Sequence, residues 1–327
     1  MKILFIGGTG IISSSCSQLC IEKGYELYLL NRGKNFRTPP AEAKIIQADI
    51  NDVDSVRAKL AKEKFDAVVN WIAFNKEDVK RDFESFRDKT EQYIFISTAT
   101  VYEKPPGRLP FTEDTPLGNP FWEYSQNKIA CENFLMNAFL EQKFPVTICR
   151  PSHTYDKTKS ILRGGYVPFY RMSKGKKIIL HDSGTSLWTL THTKDFAKGF
   201  IGLIGNPKTY GEAYHITSDE TLTWKQIAEI LANKTGYEIE PAYIPTKFIA
   251  ERDREWGAEL LGDKAYDTVF DNSKIKSIVP EFKAEIPFEK GAGEIVEWYS
   301  KPENQILNYE IDSMMDKIID EYEAANR

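Results

Sequence analysis

The chain has no long hydrophobic run, few cysteines and histidines, and no excess of positive charge. No stretch approaches the ~18 consecutive apolar residues of a membrane-spanning helix, so the sequence predicts no membrane span. The four histidines show no metal-ligand spacing, and we expect no metal site. The net charge of −5 gives no electrostatic basis for binding nucleic acid or an anionic membrane surface.

The cysteines form no CxxC pair and predict a reducing environment. Cys16, Cys20, Cys131 and Cys149 are interpreted as small buried or half-buried thiols. The N-terminus begins like a signal peptide, with a lysine and an apolar stretch, but glycines soon interrupt that stretch. We therefore expect a cytoplasmic protein. Its 327 residues, 41% of them hydrophobic, suffice for a sizeable core.

A glycine-containing turn follows the first apolar run. Residues 3–6 are apolar enough for a buried parallel strand, and a helix is predicted to begin after Gly10. Gly7 permits a tight turn, Gly10 lets the backbone approach a pyrophosphate, and Ser13 is a small residue where a third glycine would allow close helix packing. The turn therefore predicts a dinucleotide site, with a plain strand-to-helix turn as the alternative. The predicted cofactor contacts are Gly7, Thr9, Gly10, Ile11 and Ile12.

Apolar runs alternate with helical segments along much of the chain. Strands are predicted at residues 26–30, 44–48, 66–70, 92–96 and 145–150, with a last sheet strand at 212–216. This alternation is typical of an α/β fold with a doubly wound parallel sheet, the Rossmann fold. We expect residues 1–155 to form this dinucleotide-binding domain and residues 189–236 to complete it.

The other segments are predicted to form a smaller α+β C-terminal lobe that binds substrate. Residues 156–188 and 237–327 lack the alternation of strands and helices. An amphipathic helix ends the chain, and its apolar positions are Ile311, Met314, Met315, Ile318, Ile319 and Tyr322. We predict that this stripe docks on the protein's own second lobe, with a partner-binding face as the alternative.

The end of the second strand indicates which dinucleotide is bound. NAD sites usually place Asp or Glu there for the ribose 2′-hydroxyl, whereas a 2′-phosphate requires an arginine and no carboxylate. The chain has Asn31 and Arg32, so we favour NADP over NAD. Arg32 could instead be a solvated surface charge, and Asn31 could still bond a ribose hydroxyl. After the third strand, Asp49 could reach the adenine amino group or cap a helix.

Hydroxyl-bearing residues follow the fifth strand, at the edge where open α/β sheets bind ligands. Among them, Thr98 is the candidate for chemistry. Tyr124 and Lys128 come next on a predicted helix, four residues apart and therefore on one face.

The Tyr-x-x-x-Lys spacing by itself proves nothing, because it occurs four times. A proline soon follows Tyr243, which argues against a helix. Tyr155 lies in a predicted loop, whereas Tyr170 could be helical. Only Tyr124 lies on a helix directly after the Thr98 strand.

Several motifs occur together in a familiar order: Gly7-x-x-Gly10-x-x-Ser13, then Ser97-Thr98-Ala99-Thr100, Tyr124-x-x-x-Lys128 and Arg150-Pro151. With them the chain resembles the extended short-chain dehydrogenase/reductase family of NAD-dependent epimerase/dehydratase type. Within it, the chain is most similar to the atypical branch near the chloroplast stem-loop-binding proteins. The resemblance covers nearly the whole chain.

The resemblance implies hydride transfer between a nicotinamide and a secondary alcohol. Tyr124 would be the general acid or base, Lys128 would favour its phenolate and hold the nicotinamide ribose, and Thr98 would bond the reacting oxygen. Further implied cofactor contacts are Asn31, Arg32, Asp49, Ile50, Ala73, Ser97, Pro151 and His153. Implied substrate contacts are Thr98, Thr100, His153, Arg163 and Trp188.

His153 stands where many relatives have an asparagine that contacts substrate. The histidine could bond a phosphate or sugar hydroxyl, titrate near about pH 6.5, or serve as a hydrogen-bonded wall residue.

Three departures from the family bear on the substrate. The segment from Ala73 to Thr98 is shorter than in sugar-nucleotide epimerases, which puts their usual dimer contact in doubt. Trp188 and Leu261 replace the arginines that hold a substrate pyrophosphate. The Asp-Glu pair of 4,6-dehydratases is absent after Thr98, so dehydration is not expected. Substitute cations for the missing arginines would be Arg150, Arg163, Arg171 or Lys194.

The predicted function is an NADP- or NAD-dependent epimerase or dehydrogenase acting on a sugar or sugar-nucleotide-like substrate. We expect a monomer or homodimer with no nucleic-acid or membrane partner. The alternative is a catalytically silent dinucleotide-binding protein that acts through RNA or protein binding.

Overall fold

The apolar runs predicted as strands pair in one seven-stranded parallel sheet. The computed structural model describes residues 1–326, so residue 327 of the predicted C-terminal lobe lies outside the described residues. The strands are β1 (Lys2–Ile6), β2 (Glu26–Asn31), β3 (Lys44–Gln47), β4 (Ala67–Asn70), β5 (Tyr93–Ile96), β6 (Val146–Pro151), β7 (His153–Tyr155), β8 (Ile178–His181), β9 (Leu187–Trp188), β10 (Leu190–His192), β11 (Glu212–Ile216), β12 (Leu222–Thr223) and β13 (Pro241–Ile244).

Helices cover both faces of this sheet and build the rest of the structure. They are α1 (Ile11–Glu22), α2 (Val53–Lys59), α3 (Lys76–Phe86), α4 (Glu123–Gln142), α5 (Val167–Ser173), α6 (Thr193–Ile201), α7 (Trp224–Thr235), α8 (Thr246–Ala250), α9 (Arg254–Glu259), α10 (Ser273–Ile278), α11 (Phe288–Ser300) and α12 (Tyr309–Ala325). No helix within residues 1–326 combines the length and the apolar character needed to cross a bilayer.

The order of the main sheet is β3-β2-β1-β4-β5-β6-β11, and every pairing is parallel. From β1 the chain builds outward through β2 and β3, then returns to place β4 on the other side of β1. The strand order therefore reverses between β1 and β4, which is where doubly wound sheets bind ligands. The predicted fold class is confirmed.

Successive residues of β1 pack on opposite faces of the sheet. Ile3 and Phe5 belong to the core beneath α1 and α6, whereas Leu4 and Ile6 belong to the core beneath α2, α3 and α4. Because both faces are covered, the strands read as continuous apolar runs. All four cysteines are buried free thiols, as predicted.

Outside the main sheet, three short strand pairs and several helices surround two further apolar clusters. The pairs are β7 with β10, β8 with β13, and β9 with β12. Met315, Ile318 and Ile319 of α12 are buried in the cluster that also contains Trp256. The terminal helix therefore docks on the protein's own chain, as its apolar stripe predicted.

One local expectation was wrong, and one of two alternatives is ruled out. Tyr155 lies in β7 and not in a loop, because β7 pairs with β10, far along the sequence. Asp49 does not cap a helix. Asp52 does, since its side chain accepts a hydrogen bond from the Ser55 N–H at 3.1 Å at the start of α2.

A buried guanidinium fixes α12 to α5. Arg171 is 1% exposed, and its Nη1 lies 2.6 Å from Asp312 Oδ1 and 2.9 Å from Asp316 Oδ1. We expect Asp312→Ala to lower the free energy of unfolding by about 3 kcal/mol, because the buried charge loses one of its partners. Urea denaturation measures this change. Lys317→Ala is the control, since it removes only an exposed pair with Glu321 and should change stability by less than about 0.5 kcal/mol. Equal effects of the two substitutions would contradict this role of Arg171.

Candidate active site

Two cavities meet along the carboxyl edge of the sheet. The central cleft, of about 530 Å³, extends from the glycine turn to Tyr124 and Trp188. The strand-end cavity, of about 420 Å³, lies over the ends of β2 and β3. Gly7 and Thr9 line both cavities, so the glycine turn is their junction.

The glycine turn depends on two positive φ angles. Gly7 has φ +103° and Gly8 has φ +95°, a region that side-chain-bearing residues rarely adopt. Sequence reasoning did not single out Gly8. The structure shows why this position is a glycine, because a Cβ there would lie 2.5 Å from Cδ2 of Leu29. Ser13 is small, as the sequence argument required, and it also forms a hydrogen bond. Its hydroxyl accepts from the Gly10 N–H at 2.8 Å and closes the first turn of α1.

The junction of the cavities suits an anionic group. Within the described chain, the first turn of α1 contains no acidic side chain, so the positive end of the helix is not neutralised locally. A ligand with two bulky ends and an anionic centre would fill both cavities and place its centre at this turn. The residues present therefore fit a dinucleotide.

The strand-end cavity contains the residues expected to choose the dinucleotide. Asn31 Oδ1 accepts a hydrogen bond from the Gly33 N–H at 2.9 Å, which closes the turn after β2. Arg32 has a side chain that is 64% exposed, and its Nη1 lies 3.9 Å from Asp49 Oδ2. Ile50 is buried and lines the same cavity. Arg32 is thus exposed at this cavity and forms a long ion pair with Asp49, a carboxylate that the end of β2 itself does not supply.

Tyr124, Lys128 and Thr98 line the central cleft together. Thr98 follows the end of β5, while Tyr124 lies in the first turn of α4 and Lys128 one turn further along. The structure brings together the three residues predicted to be catalytic. Tyr155, Tyr170 and Tyr243 do not line the cleft formed by residues 1–326. Of the four Tyr-x-x-x-Lys matches, Tyr124 is therefore the one whose tyrosine faces the cleft.

Lys128 is a buried cation held by backbone carbonyls. Its Nζ donates hydrogen bonds to the Ala73 oxygen at 2.7 Å and to the Ile96 oxygen at 2.8 Å. Burial disfavours the charged amine and lowers the pKa of Lys128 to about 8. An ammonium has three N–H groups, so one remains for a ligand.

The Tyr124 hydroxyl is a weak acid in the free protein. Burial raises the pKa of Tyr124 to about 12, a hydrogen bond with Thr98 lowers it in part, and the nearby Asp263 carboxylate raises it further. Tyr124 is therefore protonated at neutral pH until a positive charge is added to the cleft.

The remaining hydroxyls around Thr98 form a short chain. The Thr98 hydroxyl donates to Thr100 Oγ1 at 3.2 Å, and the Ser125 hydroxyl donates to the same oxygen at 2.7 Å. The Ser97 hydroxyl donates instead to Glu132 at 2.5 Å. The three predicted residues Ser97, Thr98 and Thr100 all line the cleft.

Most of the other predicted cofactor contacts also face a cavity, with one exception. Ile11, Ile12 and Pro151 line the central cleft. The Ala73 side chain is fully buried and lines neither cavity; only its carbonyl contributes, by binding Lys128. Its neighbours Ile72 and Phe74, which were not predicted, line both cavities.

His153 and Trp188 form one wall of the cleft. The Trp188 indole N–H donates to His153 Nδ1 at 3.1 Å. Burial, together with the Lys159 and Lys264 charges, lowers the pKa of His153 well below its ordinary value. Burial and the two lysine charges therefore oppose titration near pH 6.5, one of the three roles considered.

The proposed substitutes for the missing arginines have other partners. Arg150 is buried and pairs with Glu132 at 2.6 Å, and Arg171 pairs with α12. Arg163 lies near the cleft, but Asp253 at 3.2 Å offsets its charge. Lys194 is exposed at the start of α6. None of the four lines the central cleft formed by the described residues.

Sequence reasoning also missed Trp122, Lys159, Asp263 and Lys264, which line the central cleft. They come from loops and a short turn far from the glycine motif. The only sequence signals were the Tyr155–Lys159 match, set aside as a loop, and the position of Asp263 just after Leu261. Within residues 1–326, no three metal-ligating side chains converge.

Comparisons with known proteins point to one family. A family model described as the NAD dependent epimerase/dehydratase family matches residues 3–217. The chloroplast stem-loop binding protein of 41 kDa b of Arabidopsis thaliana is 29% identical over 268 residues, covering 76% of this chain and 67% of that protein. The 2′-dehydrokanamycin reductase of Streptomyces kanamyceticus is 22% identical over 288 residues, covering 86% of this chain and 80% of that protein.

Solved structures share the fold. A dTDP-glucose 4,6-dehydratase from Bacillus anthracis, solved in complex with NAD, superposes with a TM-score of 0.73. It is 20% identical and covers 93% of this chain and 97% of its own.

Lys128 provides a direct test of the cleft's electrostatics. We expect its amine to titrate near pH 8 in the free protein, charged below that pH and increasingly neutral above it, because burial disfavours the ammonium. NMR of lysine side chains labelled with ¹³C measures this pKa, and Lys128→Met assigns the signal. Titration in the ordinary lysine range, about 10.4, would contradict the buried environment.

Proposed function

The chain belongs to the NAD dependent epimerase/dehydratase family, and we propose that it performs reversible hydride transfer at a secondary alcohol of a carbohydrate-like substrate. The observation that supports this most is the meeting of Tyr124, Lys128 and Thr98 in a cleft that is continuous with the glycine turn. The bound nicotinamide would accept or supply the hydride.

The dinucleotide would be held by the chain's own backbone and two cavities. Gly7, Thr9 and Gly10 would surround the pyrophosphate at the start of α1. The strand-end cavity would take the adenosine end, with Asn31 and Arg32 at its ribose. The remaining N–H of Lys128 would bond the nicotinamide ribose.

Tyr124 would exchange a proton with the substrate oxygen. In reduction of a ketone its protonated hydroxyl is already the required acid. In oxidation of an alcohol it must act as a base, and its pKa of about 12 has to fall. The Lys128 ammonium and a positively charged ligand in the cleft would both favour the phenolate. Thr98 would bond the same substrate oxygen.

The segments at 156–188 and 237–327 are proposed to form the substrate lobe. Trp122, Trp188 and Phe270 give the central cleft broad apolar walls, and Thr100 and His153 add polar groups. A carbohydrate presents apolar C–H faces and hydroxyl edges, so this mixture suits it.

Dehydration is not the proposed reaction. Ala99 and Thr100 follow Thr98, and neither side chain can act as an acid or base near neutral pH. Epimerisation and simple dehydrogenation remain, and nicotinamide absorbance distinguishes them. A dehydrogenase changes it stoichiometrically with turnover, whereas an epimerase returns it to the starting value.

A second candidate function is RNA binding without catalysis. The similarity to a chloroplast stem-loop binding protein favours this candidate, whereas the net charge of −5 opposes it. A salt-dependent gel shift with structured RNA at physiological ionic strength distinguishes this function from hydride transfer.

Tyr124→Phe tests the proposed chemistry. We expect kcat to fall by about 10²–10⁴-fold because proton transfer to the substrate oxygen is lost, while dinucleotide binding is retained. Turnover would be followed by nicotinamide absorbance and product chromatography with UDP-glucose, dTDP-glucose and glucose 6-phosphate as probes. Tyr170→Phe is the matched control, since Tyr170 heads another Tyr-x-x-x-Lys match outside the cleft. Near wild-type turnover in Tyr124→Phe would refute the assignment.

Arg32 tests the choice of dinucleotide. We propose NADP as the favoured cofactor, because the exposed Arg32 guanidinium could pair with a 2′-phosphate. Arg32→Ala should weaken NADP binding by about tenfold and leave NAD binding nearly unchanged. Calorimetric titration of both dinucleotides measures the difference. Tighter binding of NAD than of NADP by the wild type, with no effect of the substitution, would overturn the preference.

A further inference from the structure

The central cleft shares one wall with a third cavity. This lobe cavity, of about 680 Å³, is lined by parts of α9 and of the segment before α5. Trp122, His153, Lys159 and Lys264 line both the central cleft and the lobe cavity. The shared wall therefore carries two lysines, one histidine and no acidic side chain.

The histidine in this wall presents a hydrogen-bond donor without a partner. An indole N–H can only donate, so His153 Nδ1 must accept the bond from Trp188. The neutral imidazole then carries its proton on Nε2. That atom is buried, and no acceptor among residues 1–326 bonds to it. A buried donor left unpaired is costly, which favours a ligand that supplies an acceptor.

The two lysines add positive charge close to that donor. The Lys159 ammonium forms no ion pair with residues 1–326, and burial and the neighbouring Lys264 charge lower its pKa. Lys264 Nζ donates to Glu259 Oε2 at 3.1 Å, which leaves two of its N–H groups for other acceptors. Both lysines line the same two cavities as His153, and their charges lower the pKa of its imidazole.

Acidic groups near this wall only partly offset the lysines. Glu259 is shared between Lys264 and Arg163, at 3.1 and 3.7 Å. Asp156, which acts on Lys159 at longer range, is paired with Arg37 at 3.1 Å. Asp263 lines the central cleft and interacts with Lys104 and Lys264 as well as with the Tyr124 hydroxyl, and burial raises the pKa of its carboxyl. Of the two lysines, Lys159 therefore has less negative charge near it.

We propose that Lys159, Lys264 and the Nε2–H of His153 bind one anionic oxygen group of the substrate, a phosphate monoester or a carboxylate. The inference rests on the proposed function, since it names the substrate class of the same cleft. Three donors suit a single anionic group, and the apolar Trp188 and Leu261 add no further cation for the second phosphate of a diphosphate. The substrate is therefore a sugar phosphate or sugar acid.

Direct anion binding tests the site without any turnover. Inorganic phosphate and, separately, acetate are titrated calorimetrically into the protein saturated with NADP, so that the glycine turn is already occupied. Lys159→Met should weaken binding of the preferred anion by about tenfold or more, because a charged donor is lost. His153→Phe should also weaken it, by removing the Nε2 donor. Lys157→Met is the matched control, since Lys157 is an exposed lysine in the same loop, and it should bind like the wild type.

Each outcome decides the proposal. Tighter binding of phosphate assigns a phosphate ester, and tighter binding of acetate assigns a carboxylate. Absence of binding of both anions by the wild type overturns the site, as does equal affinity in Lys159→Met and Lys157→Met. Tyr124→Phe should lose hydride transfer and retain anion binding. Wild-type protein that binds the anion but transfers no hydride refutes the proposed function and not the site. Circular dichroism checks that each variant is folded, and Lys159→Met remains informative if His153→Phe does not fold.

Discussion

The candidate site depends on one buried ammonium. Lys128 Nζ donates to the carbonyls of Ala73, just after β4, and Ile96, the last residue of β5. These two bonds tie α4 to the carboxyl edge of the sheet, next to the point between β1 and β4 where the strand order reverses. They also orient the helix so that Tyr124, one turn earlier, faces the cleft beside Thr98. An unpaired cation at this depth would be costly, so the carbonyls and the helix constrain each other.

Burial disfavours the charged form of each titratable group in the cleft. Burial raises the pKa of Tyr124, lowers that of Lys128 and lowers that of His153, and in each case it favours the neutral form. The free protein therefore holds its acid–base groups in states that an incoming charged ligand would change. A cationic ligand near Tyr124 would favour the phenolate, and an anionic group near Lys159 would favour the ammonium.

The proposed substrate recognition differs from the pair of arginines that the family resemblance implies. The arginines considered as replacements serve the fold: Arg150 binds Glu132, and Arg171 anchors α12. The proposed cationic groups for substrate are instead Lys159, in the loop after β7, and Lys264, in the helical turn Leu260–Lys264 that also supplies Asp263. The proposed substrate specificity therefore belongs to connecting segments, and the dinucleotide site belongs to the sheet.

The sequence by itself determined the sheet, the glycine turn and the pairing of Thr98 with Tyr124 and Lys128. Each rests on a local pattern, and parallel strands bring their carboxyl ends to one edge whatever the side chains elsewhere. Tertiary structure alone decided that Ala73 contributes a carbonyl and no side-chain contact, and that Gly8 must be glycine beneath Leu29. It also decided the tautomer of His153 and the meeting of Lys159 with Lys264. These depend on contacts between segments far apart in the chain, such as β7 with β10, which leave no periodic signal in the sequence.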